Sequence, residues 1–193
     1  MSDILSELAN VATIVTGIGV IFVVIQISID HERSRRTLAV DILNSWSRDL
    51  THEVRVARKI AQQLTAEDLN KLMQEEPIIL KGKAAALAFQ LIKRSKKLPE
   101  EYRLEHLDLL YIRSLLVRYL NTLESSLVSW YLGIADEKIM DEEFGYLQKD
   151  VSVRNLVSCM GEKYFPATVE LLNNKLRTRR RPLYLFPLRF FDR

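Results

Sequence analysis

The feature that most constrains this chain is a long uncharged segment near its beginning. From Leu8 to Ile29 the sequence is LANVATIVTGIGVIFVVIQISI, and none of these 22 residues carries a formal charge. A helix of that length spans about 33 Å, close to the roughly 30 Å of a bilayer's hydrocarbon core. We therefore predict a single transmembrane helix within an N-terminal stub and anchor region, residues 1–30.

Two alternatives compete with an anchor. A cleaved signal peptide needs a basic start, a shorter apolar run and a small-residue cleavage site. Here Asp3 and Glu7 precede the run, and HERSRR follows it directly. A buried helix of a water-soluble core is the second alternative, because polar residues dilute the run at Asn10, Thr13, Thr16 and Gln26. The length of the uncharged run favours the anchor.

The charges that flank the run predict its orientation. Arg33, Arg35 and Arg36 follow the span, and no basic side chain precedes it. Since Lys and Arg are enriched on the cytosolic side, we expect a single-pass protein of the inner (plasma) membrane with its C-terminal domain in the cytosol. The single cysteine, Cys159, fits a reducing compartment.

Small residues recur at helical spacing within the predicted span. Ala9, Thr13 and Gly17 lie on one stripe, where small side chains would let two helices approach closely. Their general abundance in membrane helices is an equally simple explanation. Helix packing in the membrane is therefore one of two interpretations of this stripe.

The remaining sequence predicts an all-α fold, a cytosolic helical bundle over residues 31–181. Six Gly and five Pro disfavour a turn-rich β-sandwich. Because no Gly or Pro occurs between Val20 and Leu64, the anchor could continue as one long helix. Shorter helices are expected at 66–74 and 79–93, with Pro99 in the first turn of the next. A central apolar helix should end at Gly133, Asp141 should cap another, and Pro166 should begin the last.

Two stretches carry a family resemblance. They are RRTLAVDILNSW, from Arg35 to Trp46, and YLNTLESSLVSWYLGIADEKIMDEEF, whose acidic residues are Asp141, Glu142 and Glu143. Together they resemble domain-of-unknown-function family four-seven-six-zero, small bacterial proteins with an N-terminal membrane helix and a helical cytosolic domain. The resemblance implies an anchored helical module and no catalytic residue. The basic and aromatic tail departs from that pattern.

The sequence offers no catalytic, cofactor or metal constellation. His31, His52 and His106 are too far apart for two ligands on one helical turn, and no phosphate-binding loop occurs. Cys159 lies on a helical stripe without a nearby base, as a core residue would. The acidic residues from Asp136 to Glu143 are typical of helix starts and solvated surface. We predict no enzyme activity and no cofactor.

The C-terminal tail, residues 182–193, follows a cluster of arginines and is rich in aromatic residues. Three interpretations are open: contact with the anionic inner leaflet, binding of nucleic acid, or packing of the aromatic rings back on the bundle. Nucleic acid is the least favoured. The candidate residues for contact with membrane or partner are Arg177, Arg179, Arg180, Arg181, Tyr184, Phe186, Phe190 and Phe191.

These observations predict a membrane-anchored interaction or accessory protein. Its expected partners are the lipid bilayer and either a protein partner or further copies of the chain. The alternative is a membrane-disrupting effector, of the toxin or anti-phage type, that oligomerises through its transmembrane helix.

Overall fold

The computed structural model describes residues 2–93 and 99–173, with side chains from residue 16 onward. Within these ranges the chain is mostly helical, which confirms the all-α prediction, and it also contains one small antiparallel sheet. The helices are α1 (Ser2–Asp49), α2 (His52–Ala61), α3 (Ala66–Met73), α4 (Gly82–Lys93), α5 (His106–Tyr131), α6 (Glu137–Phe144), α7 (Val151–Met160) and α8 (Pro166–Leu172). The strands are β1 (Ile79–Lys81) and β2 (Glu101–Arg103).

α1 is the longest element, and it extends far beyond the bundle. Its 48 residues give a length of about 72 Å. Among its described side chains, those that pack on the hydrophobic core belong to the C-terminal part: Ala39 and Trp46 are buried, and Ile42 and Leu43 are partly buried. Among the residues that the structure describes, none of the helices combines the length and the apolar content that crossing a membrane requires.

The prediction of one uninterrupted helix from the anchor to Leu64 is wrong. α1 ends at Asp49 and α2 begins at His52, although neither Gly nor Pro separates them. The side chain of Arg55 donates to the carbonyl of Leu50 at 2.9 Å. Such a basic group at a helix C-terminus satisfies a carbonyl that the helix leaves unpaired and stabilises the break.

The predicted helix over 79–93 is also only partly correct, because its first three residues form β1. Leu80 pairs with Tyr102 of β2 and is buried, whereas Ile79 on the other face is exposed. The change from strand to helix occurs at Gly82, whose positive φ of 53° suits glycine. Pro99 accordingly precedes a strand and not the predicted helix.

α5 lies at the centre of the domain and contacts α1, α2, α3 and α8. It ends at Tyr131, with Gly133 in a left-handed conformation (φ 73°), as predicted. Leu107, in the first turn of α5, is 74% exposed. The residues that fill the core from α5 include Leu109, Ile112, Leu116, Tyr119, Leu120, Leu123, Leu127 and Trp130.

The last three helices close the bundle. Asp136, and not the predicted Asp141, caps α6 by accepting from the backbone N–H of Ile139 at 3.1 Å. A short 3-10 helix (Gly145–Lys149) leads to α7, which Asp150 caps. Pro166 begins α8, as predicted.

Candidate membrane-anchoring site

In the described part of α1 that precedes the bundle, from residue 16 onward, apolar side chains lie on every side of the helix. Residues 20–24 are five consecutive apolar residues, each between 46% and 68% exposed. Because successive helical residues are about 100° apart, five in a row cover the whole circumference. Ile18, Ile27 and Ile29 are exposed as well. A helix that is apolar all round normally lies in a protein core or in lipid, and this one has no protein around it in the described chain.

Along α1 from the N-terminal side, the first described side chain that is buried against the bundle is Arg35, which is 8% exposed. Its Nη2 donates to the carbonyl of Ala135 at 3.0 Å. In return, the backbone N–H of Asp136 donates to the carbonyl of Arg35 at 3.2 Å. Arg36 Nε lies 3.7 Å from the Asp136 carboxylate. These contacts fasten the α5–α6 loop, residues 132–136, to α1 just after the projecting half.

The three arginines that predict orientation therefore differ in their surroundings. Arg33 is exposed, Arg35 is enclosed by the domain, and Arg36 is shared between Glu32 at 3.0 Å and Asp136. From the sequence, all three arginines were interpreted only as the excess of basic residues that orients the predicted span. The structural role of Arg35 depends on a contact 100 residues away, which no local pattern could reveal.

The predicted packing stripe is only partly within the described residues. Gly17 lies on the exposed part of α1, and a Cβ placed there would meet nothing within 4 Å. The side chains of Ala9 and Thr13 lie outside the described residues. Gln26, one of the polar residues of the apolar run, donates to Asp30 one turn along at 3.1 Å.

The tail residues predicted to contact membrane or partner all lie outside the described residues. They are Arg177, Arg179, Arg180, Arg181, Tyr184, Phe186, Phe190 and Phe191. Their three interpretations stay predictions.

A cluster of polar residues that sequence analysis missed lies on the bundle. The Arg58 guanidinium lies 5.4 Å from the ring centres of both Tyr119 and Tyr146, and it donates to Asp150 at 2.9 Å. Burial raises the pKa of the Tyr119 hydroxyl above its usual range. The cluster joins α2, α5 and α7, so it acts as a cross-link within the domain.

A polar groove of about 310 Å³ separates α1 from α5. Ser45 and Asp49 line it from α1, and Asn121, Thr122 and Ser125 line it from α5. The groove also brings together the two stretches that carry the family resemblance, because both contribute to its walls. Its hydroxyl, amide and carboxylate groups could bind a polar partner by hydrogen bonds.

The described part of the chain contains no group of three or more His, Cys, Asp and Glu side chains that could hold a metal ion. His106 lines a shallow pocket of about 510 Å³ beside Glu75 and Arg103. Cys159 is partly buried, and burial raises the pKa of its thiol. A raised pKa lowers the thiolate fraction, which is the reactive form.

Comparison with known proteins returned no matching family model, no matching curated protein and no matching solved structure. The resemblance to domain-of-unknown-function family four-seven-six-zero therefore stays a prediction. The functional proposal is therefore based on the way in which α1 projects from the bundle.

Proposed function

We propose that this chain is a membrane-anchored interaction or accessory protein. The apolar segment from Leu8 to Ile29 crosses the inner (plasma) membrane once, and the helical domain lies on the cytosolic side. Tethering would raise the local concentration of a protein partner or of further copies at the membrane surface.

The observation that supports this proposal is that apolar side chains are exposed on every side of α1 over residues 20–24. In water, eight large apolar side chains from Ile18 to Ile29 would stay solvated, at a cost of about 25 cal/mol for each Å² of apolar surface. Lipid removes that cost. The uncharged segment begins at Leu8, whereas the described side chains begin at residue 16, so the sequence supplies the rest of the span.

The test is extraction of the full-length protein from membranes at alkaline pH, which releases peripheral proteins and leaves integral ones in the pellet. Wild type should stay in the pellet. Ile18→Lys combined with Ile21→Lys should move the protein to the supernatant, because each central charge costs about 3 kcal/mol on insertion.

The same helix supplies a matched control. Thr37→Lys combined with Val40→Lys has the same spacing, at exposed positions where α1 runs along the domain. This variant should stay in the pellet. Release of wild type, or equal release of both double variants, would contradict an anchor in α1.

The alternative function, a membrane-disrupting effector, is supported by the open space around Gly17 on a helix with no partner in the described chain. Under that alternative, induced expression should depolarise the membrane and arrest growth. Gly17→Leu should then abolish the depolarisation by preventing close approach of copies. An accessory protein should leave membrane potential unchanged in both cases.

A further inference from the structure

A second apolar feature lies at the end of the bundle nearest to the projecting half of α1. Val128 and Leu132, one turn apart at the end of α5, are 37% and 60% exposed, and Ile134 in the α5–α6 loop is 49% exposed. They belong to the uncharged run SSLVSWYLGIA, residues 125–135, the longest such run between residues 31 and 173. These residues lie outside the proposed span, Leu8 to Ile29.

The direction of α5 places the loop toward the membrane. The rings of Trp46 and Tyr119 lie 6.0 Å apart, while Arg35 binds Ala135. Moving forward along α5 therefore means moving back along α1, toward the projecting half. The two helices are antiparallel at this contact, so the α5–α6 loop lies at the end of α5 that faces the projecting half of α1.

The distance along α1 fits the lipid headgroup layer. Arg35 follows Ile29 by six residues, which is about 9 Å of helix. Each headgroup layer is roughly 5–8 Å thick outside the hydrocarbon core. A loop fastened at Arg35 thus begins at the inner edge of the cytosol, and exposed side chains at its tip can reach the headgroups.

We infer that the α5–α6 loop is a second membrane contact, in which Leu132 and Ile134 enter the cytosolic headgroup layer of an anionic bilayer. This inference rests on the proposed function, because α1 must span the membrane to bring the loop there. Exposed Arg33, two residues before Arg35 on α1, and exposed Lys138, two residues after the loop, would lie near lipid phosphates. Two contacts, one spanning and one interfacial, would fix the orientation of the domain relative to the membrane.

The position of the α5–α6 loop beside the bilayer indicates that lipid covers its apolar side chains. Once α1 spans the bilayer, the distance of the loop from the lipid is set by the hydrogen bonds between Arg35 and residues 135–136. Insertion of Leu132 and Ile134 then removes apolar surface from water without ordering a further molecule. A protein that covered the loop would have to displace the adjacent lipid.

The test places a polarity-sensitive fluorophore on single cysteines in a Cys159→Ser background. The full-length protein is reconstituted into phosphatidylcholine–phosphatidylglycerol vesicles, with and without spin-labelled lipid that quenches the probe. The test positions are Leu132→Cys and Ile134→Cys. The control is Leu107→Cys, an exposed leucine at the opposite end of α5, and Phe22→Cys reports on the span itself.

Probes at positions 132 and 134 should show blue-shifted emission and several-fold stronger quenching by spin-labelled lipid than the probe at position 107. Quenching at position 22 with none at 132 and 134 would overturn the inference and leave the anchor intact. A blue shift at 134 without lipid quenching would also overturn it, since protein would then cover the loop. No quenching at position 22 would overturn the anchor, and with it this inference.

Discussion

At the scale of single residues, Asp150 is a carboxylate that binds groups from two helices, α2 and α7. It accepts hydrogen bonds from Arg58 at 2.9 Å and Gln62 at 3.2 Å, and from the backbone N–H of Ser152 at 3.0 Å. Burial opposes ionisation of this carboxyl. The hydrogen bonds from Ser152, Arg58 and Gln62 outweigh burial, so the pKa of Asp150 lies below its ordinary value of 3.8.

Asp150→Asn should therefore destabilise the domain by about 1–3 kcal/mol at pH 7, because the charge-assisted bond to Arg58 and part of the α7 cap are lost. A carboxylate with a lowered folded-state pKa stabilises the fold above its unfolded pKa. That contribution disappears as pH falls through the lower folded value. Denaturant unfolding in detergent micelles should show the gap between wild type and variant shrinking below about pH 4.

Glu142→Gln is the control for this experiment, because Glu142 is exposed on α6. Its stability should stay within about 0.5 kcal/mol of wild type at every pH. A gap between wild type and Asp150→Asn that persists unchanged at low pH would contradict the assignment of the stabilisation to the ionised carboxylate.

Glu75 shows a different kind of constraint, since it is the only non-glycine residue with positive φ in the described chain (φ 63°). It follows Gln74, the C-cap of α3, in the left-handed conformation that often ends a helix, and its carboxylate pairs with Arg113. Glycine occupies such a position without steric cost, whereas alanine does not. Both substitutions remove the same ion pair, so the comparison isolates the backbone.

We expect Glu75→Gly to be more stable than Glu75→Ala by about 1 kcal/mol, because only glycine relieves the left-handed strain. Arg113→Ala in both backgrounds should leave that difference unchanged. Thermal unfolding provides the measurement. Equal melting temperatures for the glycine and alanine variants would show that the conformation at residue 75 carries no such strain.

At the scale of elements, α8 is held by a side chain from another helix. Glu124 of α5 accepts from the N–H groups of Ala167 and Thr168 at 2.8 and 2.9 Å, and from the Thr168 hydroxyl at 2.7 Å. Ala167 and Thr168 are fully buried. A carboxylate at a helix N-terminus satisfies unpaired donors and complements the helix dipole.

Glu124→Ala should cost about 2–4 kcal/mol, because it leaves buried donors unsatisfied at the start of α8. Glu124→Gln keeps one acceptor oxygen and should cost roughly half as much. Hydrogen exchange of the Ala167 and Thr168 amides should accelerate more in the alanine variant than in the glutamine variant. Unchanged exchange at both amides would rule out this cap.

The sequence predicted those elements that carry local signals. α3 begins at Ala66, as predicted, and Thr65 caps it by accepting from the N–H of Asp68 at 3.1 Å; Gly133 and Pro166 mark helix ends as expected. β1 was missed because three residues are too few to show alternation against a helical background. Its pairing with β2 depends on residues at least twenty positions away, so tertiary contact decided it.

At the scale of the whole molecule, the sequence predicted a membrane anchor but not how α1 attaches to the bundle. The uncharged segment was visible from composition, and the exposed circumference at residues 20–24 is consistent with it. The hydrogen bonds between Arg35 and the α5–α6 loop were not predictable, because they depend on how α5 packs against α1. Only the uncharged run at residues 125–135 could have pointed to the loop.

The central claim is that α1 crosses the membrane and leaves the bundle in the cytosol. The most direct measurement is labelling of single cysteines with a membrane-impermeant maleimide in intact spheroplasts and after lysis, in a Cys159→Ser background. If α1 spans the membrane once with the bundle in the cytosol, we expect Asp3→Cys to be labelled in intact spheroplasts and Glu142→Cys only after lysis. Labelling of both positions only after lysis, or of both before it, would contradict a single span in the proposed orientation.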